Sequence, residues 1–228
     1  MPLLVELLQS GGEGARCAAG ALVYLAWNDD NKVAIAAAGG IAPLVELVRS
    51  GCADAKGSAA RALANLASGN ADNQVAIAAA GGIAPLVDLL RDGCVDGKGA
   101  AAHTLQILAR NNADNKVAIA AAGAIAPLVA LMRSGRGKGA TYARRALQDL
   151  ASGNVDNEVL IAAANGEIAK LVQIAMRLEG RFTAAAKNAA AEFLARRRRS
   201  IVNKCVDGKV PAELEPIIAA CLARRGFS

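Results

Sequence analysis

Apolar residues recur along the chain with a helical period, and the whole pattern is itself repeated. The segment NKVAIAAAGGIAPLVEL at 31–47 returns at 73–89 and at 115–131, each time displaced by 42 residues and identical at 15 of 17 positions. Within one such period the pattern predicts a short helix over 72–80, a second over 85–91 and a third over 100–109. A period of this length with helical patterning is typical of proteins built from stacked helical repeats.

Polar and special residues predict where these helices begin and end. Asn70, Asn112 and Asn154 precede the first helix of each period and are expected to cap it. Prolines mark the starts of the second helices, where a missing N–H removes no hydrogen bond. Glycines follow the second helices, where we expect a left-handed residue. The prolines are Pro43, Pro85 and Pro127, and the glycines are Gly51, Gly93 and Gly135.

The third helix of each period carries the predicted core. Leu63 and Leu66 share one helical face with Ala59, and equivalent leucines recur as Leu105 and Leu108. One unit cannot bury such a face alone, so each unit is expected to stack on its neighbours. The glycine-rich stretches at 96–100 (DGKGA) and 135–140 (GRGKGA) lack the spacing of a phosphate loop, and we interpret them as flexible connections before the third helices.

The pattern (D)NxxAIxxAGGIxPLVxL(L/V)xSG, followed by ALxNLA, resembles the armadillo repeat. It covers roughly residues 1–195 and recurs in register at Asn31, Asn73, Asn115 and, more weakly, Asn157. The resemblance implies an all-α fold: a right-handed α-solenoid of about five three-helix repeats, with the third helices lining a concave groove. It also implies a non-catalytic role in binding or scaffolding other proteins.

The predicted domains follow from the register of the repeats. The solenoid is expected over 1–199, with units of about 1–28, 29–70, 71–112, 113–154 and 155–199, and residues 200–228 are expected to form a C-terminal helical cap or tail. The first unit is partial, because Met1 stands near the start of a second helix. We therefore expect either a fragment of a longer protein or a chain whose N-terminal edge is covered by a partner.

The resemblance also assigns residues to the groove. The asparagine of ALxNL is Asn65, and the residue four positions earlier is Arg61. In the nuclear-import receptors of the family these two positions hold a ladder of asparagines and tryptophans that grips a basic peptide. The equivalents of Asn65 in the other repeats are Tyr24, Ile107 and Asp149, and the equivalents of Arg61 are Gly20, His103 and Arg145.

The row formed by Arg61, His103 and Arg145 predicts a partner of opposite charge to an import signal. It would repel a lysine-rich peptide, whereas arginines can pair with carboxylates or phosphates on an extended segment. Tyrosine, tryptophan and arginine are also enriched at binding hot spots. The predicted partner-binding residues are Tyr24, Trp27, Arg61, Asn65, His103, Arg110, Tyr142, Arg145 and Asp149.

Each of these residues also has a plainer interpretation. Arg61 and Arg145 could be solvated residues of an exposed helix face. Trp27 could pack against the partial first repeat. His103, the only histidine of the chain, is more often a solvent-facing residue in such a row than a pH switch.

The net charge of +6 lies at one end of the chain. Residues 1–176 contain 15 basic and 15 acidic side chains, so the excess comes from residues 177–228, which include Arg196, Arg197, Arg198 and Arg199. This run is a cationic helix end, a nuclear targeting signal, or a contact with nucleic acid or an acidic protein. Two alternatives to groove binding therefore remain: a structural subunit of a larger complex and, less favoured, nucleic-acid binding through this basic tail.

The remaining chemistry favours a protein without an active site. One histidine excludes a histidine-rich metal site, and the five cysteines are not spaced as ligands. We predict no catalytic residue, cofactor or metal, and no membrane span or membrane partner. An odd number of cysteines without a CxxC pair favours a reducing compartment, the cytoplasm and/or the nucleus.

Overall fold

The computed structural model describes residues 1–135 and 137–166. Within those ranges the chain forms twelve α-helices and no β-strand. It divides into two compact units, Met1–Leu150 and Ala151–Ser228. The helices are α1 (Pro2–Gln9), α2 (Gly12–Leu25), α3 (Asp29–Ala37), α4 (Ile41–Ser50), α5 (Ala53–Ala67), α6 (Ala71–Ala79), α7 (Ile83–Asp92), α8 (Val95–Ala109), α9 (Ala113–Ala121), α10 (Ile125–Arg133), α11 (Gly137–Ala151) and α12 (Val155–Asn165).

The helices follow the three-helix order that the repeated pattern predicts. The set α3–α4–α5 has helices of 9, 10 and 15 residues, and nearly the same lengths return in α6–α7–α8 and α9–α10–α11. The first helices lie within one residue of their predicted positions. The third helices begin earlier than predicted, since α8 starts at Val95 rather than at residue 100.

The prediction that the glycine-rich stretches are flexible connections is wrong. Residues 96–100 lie inside the continuous helix α8, and residues 137–140 form the first turn of α11. The glycines instead allow neighbouring third helices to approach closely. A Cβ atom on Gly139 would lie 3.3 Å from the Cα of Gly99, and one on Gly57 would lie 3.9 Å from the Cα of Gly97.

Pairs of asparagines join the first helices α3, α6 and α9 to the third helix before each of them. The side chain of Asn70 accepts a hydrogen bond from the backbone N–H of Asn73 at 2.9 Å, as the capping prediction requires. Asn73 is itself buried, and its amide donates to the carbonyl of Leu66 at 2.9 Å. The same capping bond is made by Asn28, Asn112 and Asn154.

The glycines after the second helices do not all have the predicted left-handed conformation. Gly135 has a φ of 64°, but Gly51 and Gly93 each have a φ of −68° and an extended backbone. Glycine is required there by space rather than by φ. A Cβ on Gly51 would lie 2.6 Å from the carbonyl oxygen of Leu47, and one on Gly93 would collide with the carbonyl of Leu89.

The third helices carry the core of the first unit. Helix α5 packs against both α2 and α8, and it also contacts α4 of its own set. Leu63, Leu66, Leu105 and Leu108 are fully buried, as predicted. The hydroxyl of Thr104 lies 2.8 Å from the carbonyl oxygen of Ala60 on α5, which adds a polar contact between two neighbouring third helices.

Among the described residues, no single helix is both long and apolar enough to cross a bilayer. Three pairs, each made of a first helix and the second helix that follows it, are long and apolar enough for a span when the two helices are counted together, by length and composition alone. Each pair is bent by 80° to 84° at the break between them.

Candidate functional site

The predicted binding residues lie on α2, α5, α8 and α11, the third helices of successive sets, or, for Trp27 and Arg110, just beyond the end of one. Arg61 on α5 and Arg145 on α11 are both exposed. The nearest polar contact of the Arg61 guanidinium is the Ser58 hydroxyl at 3.4 Å. Neither Arg61 nor Arg145 forms an ion pair with any residue that the structure describes. Two repeat-equivalent arginines are therefore open to an external anion.

His103 and Tyr142 form an aromatic pair between α8 and α11. Their ring centroids are 4.2 Å apart and the rings are inclined by 28°. Both side chains are half-buried, so the interpretation of His103 as simply solvent-facing is wrong: Tyr142 covers one side of its ring. Burial, and then the positive charges of Arg110 and Arg145, lower the pKa of His103, so its imidazole is neutral at pH 7.

Asp149 is held by Gln106 on the neighbouring helix α8 and by Arg110 just past the end of that helix. Its Oδ2 atom accepts a hydrogen bond from the Nε2 of Gln106 at 3.2 Å and lies 3.7 Å from the Nε of Arg110. The sequence interpretation missed Gln106, which is only 3% exposed. Its one available signal was a polar residue between Leu105 and Ile107, in an otherwise apolar stretch.

Asn65 and its repeat equivalents do not form a uniform row. The amide of Asn65 is half-buried and donates to the carbonyl of Val23 on α2 at 2.7 Å, so it joins two third helices. The equivalent Ile107 is buried, whereas Tyr24 is 75% exposed. Asn65 and Ile107 therefore have structural roles, whereas Tyr24 on α2 is an aromatic side chain exposed to solvent.

Trp27 lies just beyond the end of α2 and is 74% exposed. The interpretation that it packs against the first repeat is therefore wrong. The structure does not bring Trp27 and Tyr24 together with the His103–Tyr142 pair, because α5 lies between α2 and α8. The predicted residues form an aromatic group on α2 and a basic group on α8 and α11, with Arg61 on the helix between them.

Other candidate chemistry is sparse in the described part of the chain. Cys17, Cys52 and Cys94 are exposed, free thiols. Residues 1–135 and 137–166 contain no group of three potential metal ligands. The arginine run at 196–199 and the expected cap at 200–228 lie outside the described residues.

The fold and the site define a repeat protein in which stacked three-helix sets present a row of polar side chains. Residues 28–68 match the family model described as Armadillo/beta-catenin-like repeat. The armadillo family is generally non-enzymatic. This match supports the armadillo-repeat family that the resemblance in sequence predicted.

Solved structures support the same all-helical solenoid fold. An engineered protein of known crystal structure is 29% identical, with a TM-score of 0.69 over 97% of this chain and 94% of that chain. A designed armadillo repeat protein is 22% identical, with a TM-score of 0.68 over 97% and 98% of the two chains. Another, solved in complex with the peptide (KR)4, is 23% identical, with a TM-score of 0.60 over 100% and 99%. No curated protein sequence matches the chain.

Proposed function

We propose that the chain is a non-catalytic binding protein that holds an extended acidic segment along its third helices. The observation that carries this proposal is the pair of arginines Arg61 and Arg145. They occupy equivalent points of repeats two apart, both are exposed, and neither has an anionic partner among the described residues. Bonds between guanidinium and carboxylate groups are charge-assisted and directional, which suits recognition of an acidic side chain.

The neighbouring charges support an acidic partner rather than a basic one. Arg110 adds a second positive charge, besides that of Arg145, to the basic group on α8 and α11. Asp149 is the one carboxylate among the predicted binding residues, and it is already engaged by Gln106 and Arg110. A lysine or arginine side chain arriving at this group would meet positive charge that no free carboxylate offsets.

The peptide complex of a designed armadillo repeat protein supports an extended peptide as the class of ligand. That protein binds (KR)4, a basic peptide. The likeness between the two chains, at 23% identity, concerns the fold, so the preference for charge is argued from the residues of this chain. A preformed helical surface also loses little conformational entropy on binding, which helps affinity from few contacts.

Binding of two labelled peptides would test the proposal. One is an eight-residue peptide of alternating Asp and Glu, (DE)4, and the other is (KR)4. We expect the wild-type chain to bind (DE)4 and not (KR)4 by fluorescence anisotropy. Arg61→Gln/Arg145→Gln removes two charge-assisted contacts, so the Kd for (DE)4 should rise by about tenfold to a hundredfold.

A control with the same change in net charge is available. Arg49 on α4 is paired with Glu46, and Arg144 is exposed next to Arg145, about 100° away around α11. Arg49→Gln/Arg144→Gln should leave the Kd for (DE)4 within about twofold of wild type, since exposed pairs contribute little. Equal losses in the two double variants would mean that only net charge matters, and the groove proposal would be rejected.

A second candidate function is that of a structural subunit in a larger complex. It is favoured by the exposure of Leu3 at 68%, Tyr24 at 75% and Trp27 at 74%, since large apolar side chains in solvent are typical of protein interfaces. Light scattering distinguishes the two candidates. A free-standing binding protein stays monomeric at high concentration, whereas an isolated subunit self-associates.

Nucleic-acid or acidic-peptide binding through residues 196–199 needs its own control. Replacing Arg196, Arg197, Arg198 and Arg199 by Gln in the full chain should leave the Kd for (DE)4 unchanged. If that replacement abolishes binding, the basic tail is the site. A steep fall of affinity with salt would then point to phosphate contacts.

The finer features of the fold and setting remain part of the proposal. They are the right-handed superhelix, about five repeats, the division at residue 199 and the C-terminal cap. The cytoplasm and/or the nucleus is proposed as the compartment, supported by the free thiols of Cys17, Cys52 and Cys94.

A further inference from the structure

His103 is the only histidine of the chain, and it lies within the proposed binding row. Its ring stacks on Tyr142 at a centroid distance of 4.2 Å. Arg145 follows Tyr142 by one turn of α11, and Arg110 stands just past the end of α8. The positive charges of both arginines act on the His103 ring. A titratable ring thus lies where an acidic side chain would approach Arg145.

The charges around His103 oppose its protonation in the free protein. Burial is the first cause of its lowered pKa, and Arg110 and Arg145 add to it. On α5, the repeat-equivalent residue is Arg61, another positive charge. On α11, Asp149 is directed to Gln106 and Arg110, so its carboxylate does not neutralise the site at the ring.

We propose that a carboxylate bound at Arg145 brings a proton onto His103, so that the chain binds acidic segments more tightly as pH falls. The inference rests on the proposed function, which supplies the ligand. A bound carboxylate offsets the positive charge of Arg145 and pairs with an imidazolium, so it favours the charged form of the ring. A ligand that is bound with uptake of a proton gains affinity when protons are more abundant.

The pH window follows from the groups involved. Free His103 titrates below about 6.5, the ordinary histidine value, and the bound carboxylate raises this value. Peptide carboxylates stay ionised above about pH 5, and arginines do not titrate in this range. For a rise of about half a unit to one unit at His103, the Kd for (DE)4 should therefore fall by about twofold to sixfold between pH 7.5 and pH 5.5, because the full threefold to tenfold change needs a pH well below both midpoints.

Two measurements test the inference. The first is an NMR titration of the imidazole Cε1–H signal from pH 5 to 8, without peptide and with saturating (DE)4. One histidine means one signal, so no assignment is needed. The midpoint should lie below 6.5 in the free chain and higher with peptide. This measurement uses the unmodified protein and decides the question even where a variant folds poorly.

The second measurement is the Kd for (DE)4 at pH 7.5 and 5.5 in wild type and in His103→Gln. Glutamine keeps a polar side chain at the position but does not titrate, so its Kd should be the same at both pH values. Circular dichroism at both pH values checks that the variant is folded. A wild-type Kd that does not change with pH would overturn the inference, as would an unchanged imidazole midpoint or a pH dependence that persists in His103→Gln.

The inference and the proposed function fail in different ways. If (DE)4 binds through Arg61 and Arg145 with the same Kd at both pH values, the proposed function stands and the role of His103 is rejected. If (DE)4 binds at neither pH, the proposed function fails and the inference fails with it.

Discussion

At the scale of single residues, the polar side chains of the third helices divide into two groups. Asn65 and Asp149 are bonded across neighbouring helices, to the Val23 carbonyl and to the Gln106 amide. Arg61 and Arg145 are exposed and have no ion-pair partner in the described ranges. The first group stabilises the stack, whereas the second is available for a ligand.

Asn65 should therefore matter for stability. Asn65→Ala removes the donor to the Val23 carbonyl and leaves that acceptor without its hydrogen bond. The free energy of unfolding should fall by about 1 kcal/mol. Urea denaturation followed by circular dichroism measures this change. No loss of stability would show that the bond observed at 2.7 Å contributes nothing.

His103 should make stability depend on pH. Folding lowers its pKa, so the unfolded chain binds the proton more readily than the folded chain does. The neutral ring therefore contributes to the free energy of unfolding in full above about pH 6.5, the pKa of histidine in the unfolded chain. This contribution is lost as the pH falls below that value. Wild type should therefore lose more stability between pH 7.5 and pH 5 than His103→Gln does. Equal losses in urea denaturation at the two pH values would contradict the assignment.

Asn111 gives a further test at a single backbone position. It is the one non-glycine residue with a positive φ in the described ranges, at 57°, and it is equivalent to Gly69 and Gly153. Asparagine tolerates this conformation better than alanine does. Asn111→Ala should lower the free energy of unfolding by about 1 kcal/mol, and Asn111→Gly should keep or slightly raise it. Thermal denaturation of the two variants provides the comparison, and equal melting temperatures would reject it.

At the scale of helices, glycines control how closely the third helices approach. A Cβ on Gly57 would make ordinary contact, at 3.9 Å from the Cα of Gly97, whereas one on Gly139 would lie 3.3 Å from the Cα of Gly99. Gly57→Ala should therefore gain up to about 1 kcal/mol from helix propensity. Gly139→Ala should gain less or lose stability, because α8 and α11 must separate. The reverse order in urea denaturation would contradict this packing.

The helices also show which features a sequence can predict. The 42-residue period and the asparagine caps are local signals, and the structure confirms both. The starts of α8 and α11 were missed, because local rules treat the glycines at 97, 99 and 139 as residues that interrupt a helix. Only the neighbouring helix shows that these glycines allow close packing. Gly51 was misread for the same reason, since its need for glycine comes from Leu47 rather than from its own φ.

The candidate site was predictable in part. Alignment of the repeats predicted Arg61, His103 and Arg145 as site residues, because they occupy equivalent positions of successive repeats. The partners of these residues were not predictable, since the stacking of His103 on Tyr142 and the bond from Gln106 to Asp149 cross between helices about one repeat apart. A register predicts which positions are equivalent, but it does not predict which side chains meet.

At the scale of the whole molecule, the distribution of charge bears on the proposed partner. Residues 1–176 carry no net charge, although the chain as a whole carries +6. An acidic segment would therefore be attracted to the repeats by the local row of arginines rather than by a general field. Affinity for (DE)4 should fall only moderately with salt in the variant that lacks the four tail arginines, because few ion pairs are involved.

If Arg61 and Arg145 determine the charge of the partner, reversing the charge of both residues should reverse the preference of the chain. The Kd for (DE)4 and for (KR)4 would be measured with wild type and with Arg61→Glu/Arg145→Glu, each folded by circular dichroism. We expect wild type to prefer (DE)4 and the double variant to prefer (KR)4. A preference that is the same in both proteins would contradict this expectation.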